Sequence, residues 1–270
     1  MKKSWIACFL FLALFFQAGA ASGEEMPEWT YPLPPEILNN FEGYITLTNQ
    51  DTLLDSDYEP NDLVSTSVRR AAHTSPMQLR EEASEALSEM FQAAEADGYT
   101  LYLKSAYRAY STQKYMYNSR LEKLGRDDGM VAYPGSSDHQ TGLGVDVLNY
   151  AWTLKDGMNK DFANAAEAQW MEAHCHEFGY ILRYMADKEE VTKIKFEPWH
   201  FRYVGREAAA YIMENHLSLE EFTQEWQDYI ASYEAAGGNF QELLIWRARI
   251  RDVTVEDYSD DGEEEYSIFF

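Results

Sequence analysis

The chain has 270 residues, with 46 acids against 22 bases and a formal charge of −24 at pH 7. Apolar residues make up 46% and aromatics 15%, enough to bury a core and to exclude a wholly disordered chain. The acidity excludes non-specific nucleic-acid binding, which needs a basic footprint along the phosphate backbone.

Residues 1–20 read as an export signal. Lys2 and Lys3 precede an apolar run from Ile6 to Phe16, and Ala18-Gly19-Ala20 offers small residues for cleavage. The run is short for a membrane span; a retained signal anchor is the alternative. Cleavage removes two lysines and no acid, so the mature charge becomes −26. The expected location is extracellular, in the cell wall or in the periplasm, with a membrane link only through an uncleaved signal. Cys8 lies in the signal, which leaves Cys175 alone in the mature chain. No intramolecular disulfide can then form, and the domain must be held by its core or by a metal.

Residues 21–43, rich in Pro and acid, read as an N-terminal tether. Residues 44–48 alternate like a short strand. The first strong helix is expected from Ser75 as cap and Pro76 as first residue to Gly98, with Leu79, Ala83, Leu87, Met90 and Ala94 as its apolar stripe. A strand over 100–105 follows, then a helix over 111–124 capped by Ser111 and ended by Gly125. Strands are expected over 143–148, 180–183, 191–196 and 199–204, with a helix over 162–178. Helices over 206–215 and 218–235 come next, and 240–251 leans to helix. The core domain spans 44–217, a helical C-terminal extension 218–251, and an acidic tail 252–270. From Asp252 to Glu265 that tail has eight acids and no base, which predicts disorder. Helices and strands interleave without a regular βαβ period, which favours α+β over a doubly wound sheet.

Two loops carry the residue types that metal chemistry needs. Residues 134–146 contain His139 and Asp146, and residues 196–203 contain Glu197 and His200. A catalytic zinc takes three protein ligands, commonly His with a carboxylate, and leaves a fourth position for water. His139, Asp146 and His200 could supply them, and zinc is the default metal for such a set. Gly142 and Gly144 would let the backbone turn tightly between the first two. Glu197 is the natural general base. Pro198 argues against a helix there, and an ideal strand puts positions three apart on opposite faces. The chain must therefore bend at Pro198 if Glu197 and His200 are to reach one site.

Bland readings stand beside these. A single His in a Gly-rich loop is often a hydrogen-bonding surface residue. A nucleophile at Ser136 or Ser137 paired with His139 lacks the Gly-x-Ser-x-Gly elbow. His174 and His176 flank Cys175 but face different directions on the expected helix. His73 and His216 have no nearby ligand types. Arg108, at a strand-to-helix junction, could clamp a carboxylate or face a developing oxyanion; it could equally pair with one of many surface acids.

Taken in order, three segments resemble the VanY-type zinc D-alanyl-D-alanine carboxypeptidases of peptidase family M15. They are Ser105-Ala106-Tyr107-Arg108 with Gln113, then Ser137-Asp138-His139 with Gly142 and Asp146, then Glu197-Pro198-Trp199-His200. Flanking Tyr58-Glu59-Pro60 and Phe201-Arg202-Tyr203 agree, and the resemblance covers roughly residues 44–217. It implies a Hedgehog/DD-peptidase-like α+β fold with a small antiparallel sheet flanked by helices. It implies one zinc ion on His139, Asp146 and His200, Glu197 as catalytic base, and Arg108 beside the anionic transition state. Ser137 and Gln113 match positions lining the pocket for the substrate's terminal carboxylate. Departures at Ala106, Ala109, Asp138 and Gly144 leave substrate preference open but remove no ligand. The implied substrate is a peptidoglycan stem peptide ending in D-alanine, cut by a monomeric enzyme through activated water. Alternatives are an L,D-carboxypeptidase on tetrapeptide stems, a D-Ala-D-Ala dipeptidase, or a non-catalytic zinc-containing wall-binding domain.

Overall fold

The computed structural model describes residues 26–257 except residue 73, with side chains as far as residue 250. The expected signal, the first residues of the expected tether, His73 and the chain from residue 258 lie outside the described residues. In chain order the elements are α1 (Pro35–Leu38), β1 (Leu63–Ser65), β2 (Gln78–Arg80), α2 (Glu81–Ala96), β3 (Leu101–Ser105), α3 (Tyr110–Leu124), β4 (Gly144–Asn149) and α4 (Tyr150–Thr153). They continue with α5 (Ala166–His174), β5 (Tyr180–Leu182), α6 (Glu189–Thr192), β6 (His200–Tyr203), α7 (Arg206–Glu214), α8 (Leu219–Ala235) and α9 (Phe240–Asp257). None of the described helices is long and apolar enough to cross a membrane.

The main sheet has four antiparallel strands in the order β3-β4-β6-β5, and β1 pairs with β2 as a separate ribbon. Alternation along the strands divides the main sheet into two chemically different faces. Leu101 and Leu103 of β3, Val145 and Val147 of β4, and Phe201 and Tyr203 of β6 join the core that includes α2. The α2 stripe of Ala83, Leu87, Met90 and Ala94 is fully buried there. Full burial of a Leu or Met side chain is worth about 1.5–3 kcal/mol. The intervening residues Asp146, His200 and Arg202 emerge on the opposite face. The fold is thus the α+β arrangement expected, a small antiparallel sheet flanked by helices.

Several boundaries differ from the periodicity. The first long helix starts at Glu81 rather than at Pro76, because Gln78–Arg80 are taken up by pairing with Leu63–Ser65. Leu79 keeps its place in the buried core from the middle of strand β2. No strand forms over 44–48. The expected strand over 191–196 is instead the short helix α6 followed by a loop. The expected helix over 162–178 is divided into 3-10 turns on either side of α5.

The expected tether is packed over much of its described length. Tyr31, Leu33 and Leu38 are buried in a second core with Ile181, Val204, Ala208, Ile212, Phe222 and Phe240. The helices after residue 217 share that core, which lies on the face of the sheet that carries Ile181 and Arg202. Ser218 and Glu221 form a capping box at the start of α8, with each side chain bonded to the other's backbone N–H. The last helix, α9, continues to Asp257, into the stretch expected to be disordered.

Cys175 is fully buried, and burial pushes its thiol up to about 12. Thiolate is the reactive form. In the folded protein Cys175 is therefore expected to resist a thiol reagent at pH 8 and to react once the chain is denatured. Rapid labelling of the folded protein would contradict this placement.

Candidate metal centre

The sheet register brings two of the candidate ligands together. Asp146 on β4 lies directly opposite His200 on β6, and Ser105 at the end of β3 flanks Asp146 on its other side. His139 arrives from the 3-10 turn Asp138–Thr141, which ends in Gly142 with φ +69°. That left-handed backbone favours glycine. Gly144 is needed for a different reason: an added Cβ would stand 2.9 Å from the backbone carbon of Asp138. Both glycines therefore let the turn lie flat on β4, one through its φ and the other through close approach.

His139, Asp146 and His200 are buried, and one ligand atom from each lies within 4.8 Å of the others. His139 Nδ1 sits 2.8 Å from the carbonyl oxygen of Ala106. A carbonyl can only accept, so Nδ1 carries the proton and Nε2 is left with a lone pair. That Nε2 is 3.3 Å from Asp146 Oδ2, while His200 Nδ1 is 2.9 Å from Asp146 Oδ1. Ligands at about 2.0–2.1 Å from a tetrahedral zinc stand roughly 3.3–3.4 Å from one another. These separations and the nitrogen–oxygen donor set fit zinc. The far nitrogen of His200, Nε2, is buried without a hydrogen-bond partner and lies 3.8 Å from Asp138 Oδ2.

The bend demanded at Pro198 is present. His200 N–H donates to Glu197 carbonyl oxygen at 3.1 Å, closing a turn, and β6 begins only at His200. Glu197 Oε2 consequently lies 3.9 Å from His200 Nδ1, on the same side as the ligands. Burial pushes the Glu197 carboxyl up to about 8, against the lowering pull of His200 and Arg108. Burial also pushes Asp146 up, but His139 and His200 outweigh it and hold that carboxyl well below the usual range.

Arg108 is fixed beside this group. Its Nη1 donates to Gln113 Oε1 at 2.7 Å and its Nη2 to Ser105 Oγ at 3.1 Å, and Nη2 stands 3.9 Å from Asp146 Oδ2. Burial lowers its pKa and Asp146 and Glu197 oppose that; a guanidinium stays charged under such conditions. Gln113 is buried and spends its amide on Arg108 and on the Ala132 carbonyl, 2.6 Å away. Its geometry is that of a brace for Arg108 and for the loop that passes Ala132. Ser137, Arg108 and Gln113 line a cleft of about 160 Å³ with the three ligands and Glu197. Met130, Met158 and Ile194 supply apolar wall. A larger groove of about 770 Å³, between α1, α7 and α9, contains none of the predicted site residues.

Among the described residues the other histidines stay apart from this group. His174 bonds Glu177 and His216 bonds Asp187, both near the surface. What the sequence reading missed is an ionic layer behind the site. Asp138 is fully buried and accepts from Arg183 Nε at 3.0 Å, from Arg202 Nη1, and from the Tyr184 hydroxyl at 3.0 Å. The available signal was two arginines in otherwise apolar strand segments.

The profile of VanY, D-alanyl-D-alanine carboxypeptidase, matches residues 76–206. The Bacillus subtilis (strain 168) protein described as "Putative carboxypeptidase YodJ" is 38% identical over 191 residues, or 69% of each chain. The LdcB LD-carboxypeptidase structure is 38% identical with a TM-score of 0.62, covering 66% of this chain and 84% of that one. A mutant of the D,D-pentapeptidase VanY from a VanB-type resistance cassette, solved with Zn(II), is 29% identical with a TM-score of 0.54. It covers 66% of this chain and 98% of that one.

Proposed function

Because the chain belongs to the VanY family of zinc-dependent carboxypeptidases, we propose that it removes the C-terminal D-alanine from peptidoglycan stem peptides outside the cytoplasm. The observation that carries this reading is the convergence of His139, Asp146 and His200 beside a buried Glu197 and a braced Arg108 in one cleft. A purely structural metal site needs neither Glu197 nor Arg108. The apparent export signal at residues 1–20 supports the location.

The ligands would be His139 through Nε2, His200 through Nδ1, and the Asp146 carboxylate. Zinc bound there supplies Lewis acidity and lowers the pKa of water to about 7. Glu197 takes the proton of the attacking water and hands it to the departing amine. The dry surroundings that raise the Glu197 pKa also make it a stronger base than an exposed carboxylate. Arg108 has two of its N–H groups committed to Gln113 and Ser105. A guanidinium carries five, so the remainder can meet the developing oxyanion or the substrate's carboxylate. Ser137 lines the same cleft and would share that carboxylate, and the methionine and isoleucine wall suits an alanine methyl group.

Arg108→Ala is expected to lower kcat/KM by about 10²–10³, the usual loss for one oxyanion donor, while zinc content is retained. Parental kcat/KM in that variant would remove Arg108 from the mechanism.

One observation favours a second reading. The likeness to the LD-carboxypeptidase, at 38% identity and TM-score 0.62, exceeds that to the D,D-pentapeptidase, at 29% and 0.54. Incubation of the zinc-loaded protein with pentapeptide and tetrapeptide stems, read by mass spectrometry, separates the two. Loss of one D-alanine from the pentapeptide alone supports the first reading, and loss from the tetrapeptide supports the second. Cleavage of neither would remove both.

A further inference from the structure

The layer behind the metal ligands is closed by a residue from the C-terminal helices. Arg183 donates from Nη1 to Glu220 Oε2 at 2.8 Å and from Nη2 to Glu220 Oε1 at 2.7 Å, while its Nε holds Asp138 Oδ2 at 3.0 Å. Glu220 stands in the first turn of α8, beyond the segment 76–206 that matches the family profile. Arg202 completes the cluster through Asp138 Oδ1 and through the carbonyls of Tyr44 and Thr46. Arg183, Arg202 and Asp138 are essentially without solvent contact. Two guanidinium groups thus face two carboxylates, and the cluster is neutral only when Glu220 is counted.

The cluster touches the metal site at one point. Asp138 Oδ2 faces His200 Nε2 at 3.8 Å, and that nitrogen has no hydrogen-bond partner among the described residues. The Tyr184 ring lies against the imidazole with centroids 5.0 Å apart, and its hydroxyl ends on the same Oδ2. A ligating histidine is oriented by what its second nitrogen meets, commonly a carboxylate, which also raises its basicity as a ligand.

We propose that Asp138 is the positioning residue for His200, and that Glu220 secures it by clamping Arg183, so that helix α8 completes the metal centre. Without Glu220 an unbalanced guanidinium stands one side chain away from the site of a dication. It also competes for the Asp138 carboxylate that should face His200. This rests on the metal reading above and is tested separately from it.

The test is the zinc dissociation constant of the intact protein, measured by competition with a chelating dye at a temperature where each variant is folded. The visible spectrum of the cobalt(II)-loaded protein is recorded in parallel. Glu220→Gln and Asp138→Asn are each expected to weaken zinc about 10- to 100-fold, the usual cost of losing an outer partner, and to alter the cobalt spectrum. Glu234→Gln, exposed on the same helix, is expected to keep the parental values. A role confined to stability would lower the melting temperature and leave the dissociation constant unchanged. If Asp138→Asn does not fold, Glu220→Gln still decides, since its side chain reaches the surface (11% exposed). Parental zinc affinity in folded Glu220→Gln overturns the inference. Failure of the unsubstituted protein to bind zinc overturns the metal reading and this inference with it.

Discussion

Glu197→Gln is expected to lower kcat by about 10²–10⁴ while leaving zinc bound in a one-to-one ratio. The substitution keeps the shape of the side chain and removes only its capacity to accept a proton. General acid–base catalysis by a positioned group is typically worth this range, or about 3–5.5 kcal/mol of barrier. Zinc should remain because Glu197 is outside the ligand set; its Oε2 stands 3.9 Å from His200 Nδ1. The pH profile gives a second reading of the same role. Burial pushes Glu197 from an ordinary value of 4.5 up to about 8, opposed by His200 and Arg108, and a bound dication pulls it down from there. Activity requires the carboxylate, so kcat/KM should rise with pH through an acid limb between those values. Parental turnover in Glu197→Gln would show that another group takes the proton.

The other large effect concerns the ligands. His139→Ala is expected to lose both stoichiometric zinc and detectable hydrolysis. The loss should exceed the roughly 10–100-fold that removal of an outer partner costs, because one of only three protein donors disappears. Zinc binding also stabilises the fold by linkage: free zinc at 1,000 times its dissociation constant contributes about 4 kcal/mol. At about 2–4 °C per kcal/mol for a domain of this size, chelation should lower the melting temperature of the parent by on the order of 10 °C. His139→Ala should melt at one temperature with or without chelator. Calorimetry with metal analysis checks both statements, and zinc retained at full occupancy in the variant would remove His139 from the ligand set.

The candidate ligands were readable because metal chemistry uses few residue types and the glycines around them betray tight turns. The bend at Pro198 was readable as a requirement, since neither helix nor strand could bring Glu197 and His200 to one side. The stripe on α2 was readable because helical spacing is local. Its start was not, since residues 78–80 are claimed by a strand partner at residues 63–65. The N-terminal segment reads as a tether because its composition is that of a linker. Its Tyr31, Leu33 and Leu38 are buried only because α7 and α8 come to lie over them.

Gln113 shows the same division within the site. Its motif position suggests a substrate contact, whereas its hydrogen bonds make it a brace between Arg108 and Ala132. The buried charges behind the site could not be apportioned from sequence at all. An arginine at residue 183 or 202 in an acidic chain has many candidate partners. Which of them it meets depends on how β5, β6, the turn at Asp138 and α8 pack together.

The sequence by itself therefore determined the α+β character, the most regular helices and strands, the three candidate ligands, the candidate base and the family they resemble. All of these rest on residue type, on spacing within short segments and on the order of those segments along the chain. Only the tertiary structure decided that Asp146 and His200 stand in register, that His139 presents Nε2, and that Asp138, Arg183, Arg202 and Glu220 form one neutral buried cluster. The reason is physical. Propensity and ligand chemistry act over a turn or a few residues, whereas the pairing of buried charges is set by desolvation, which exists only once distant segments have closed over them.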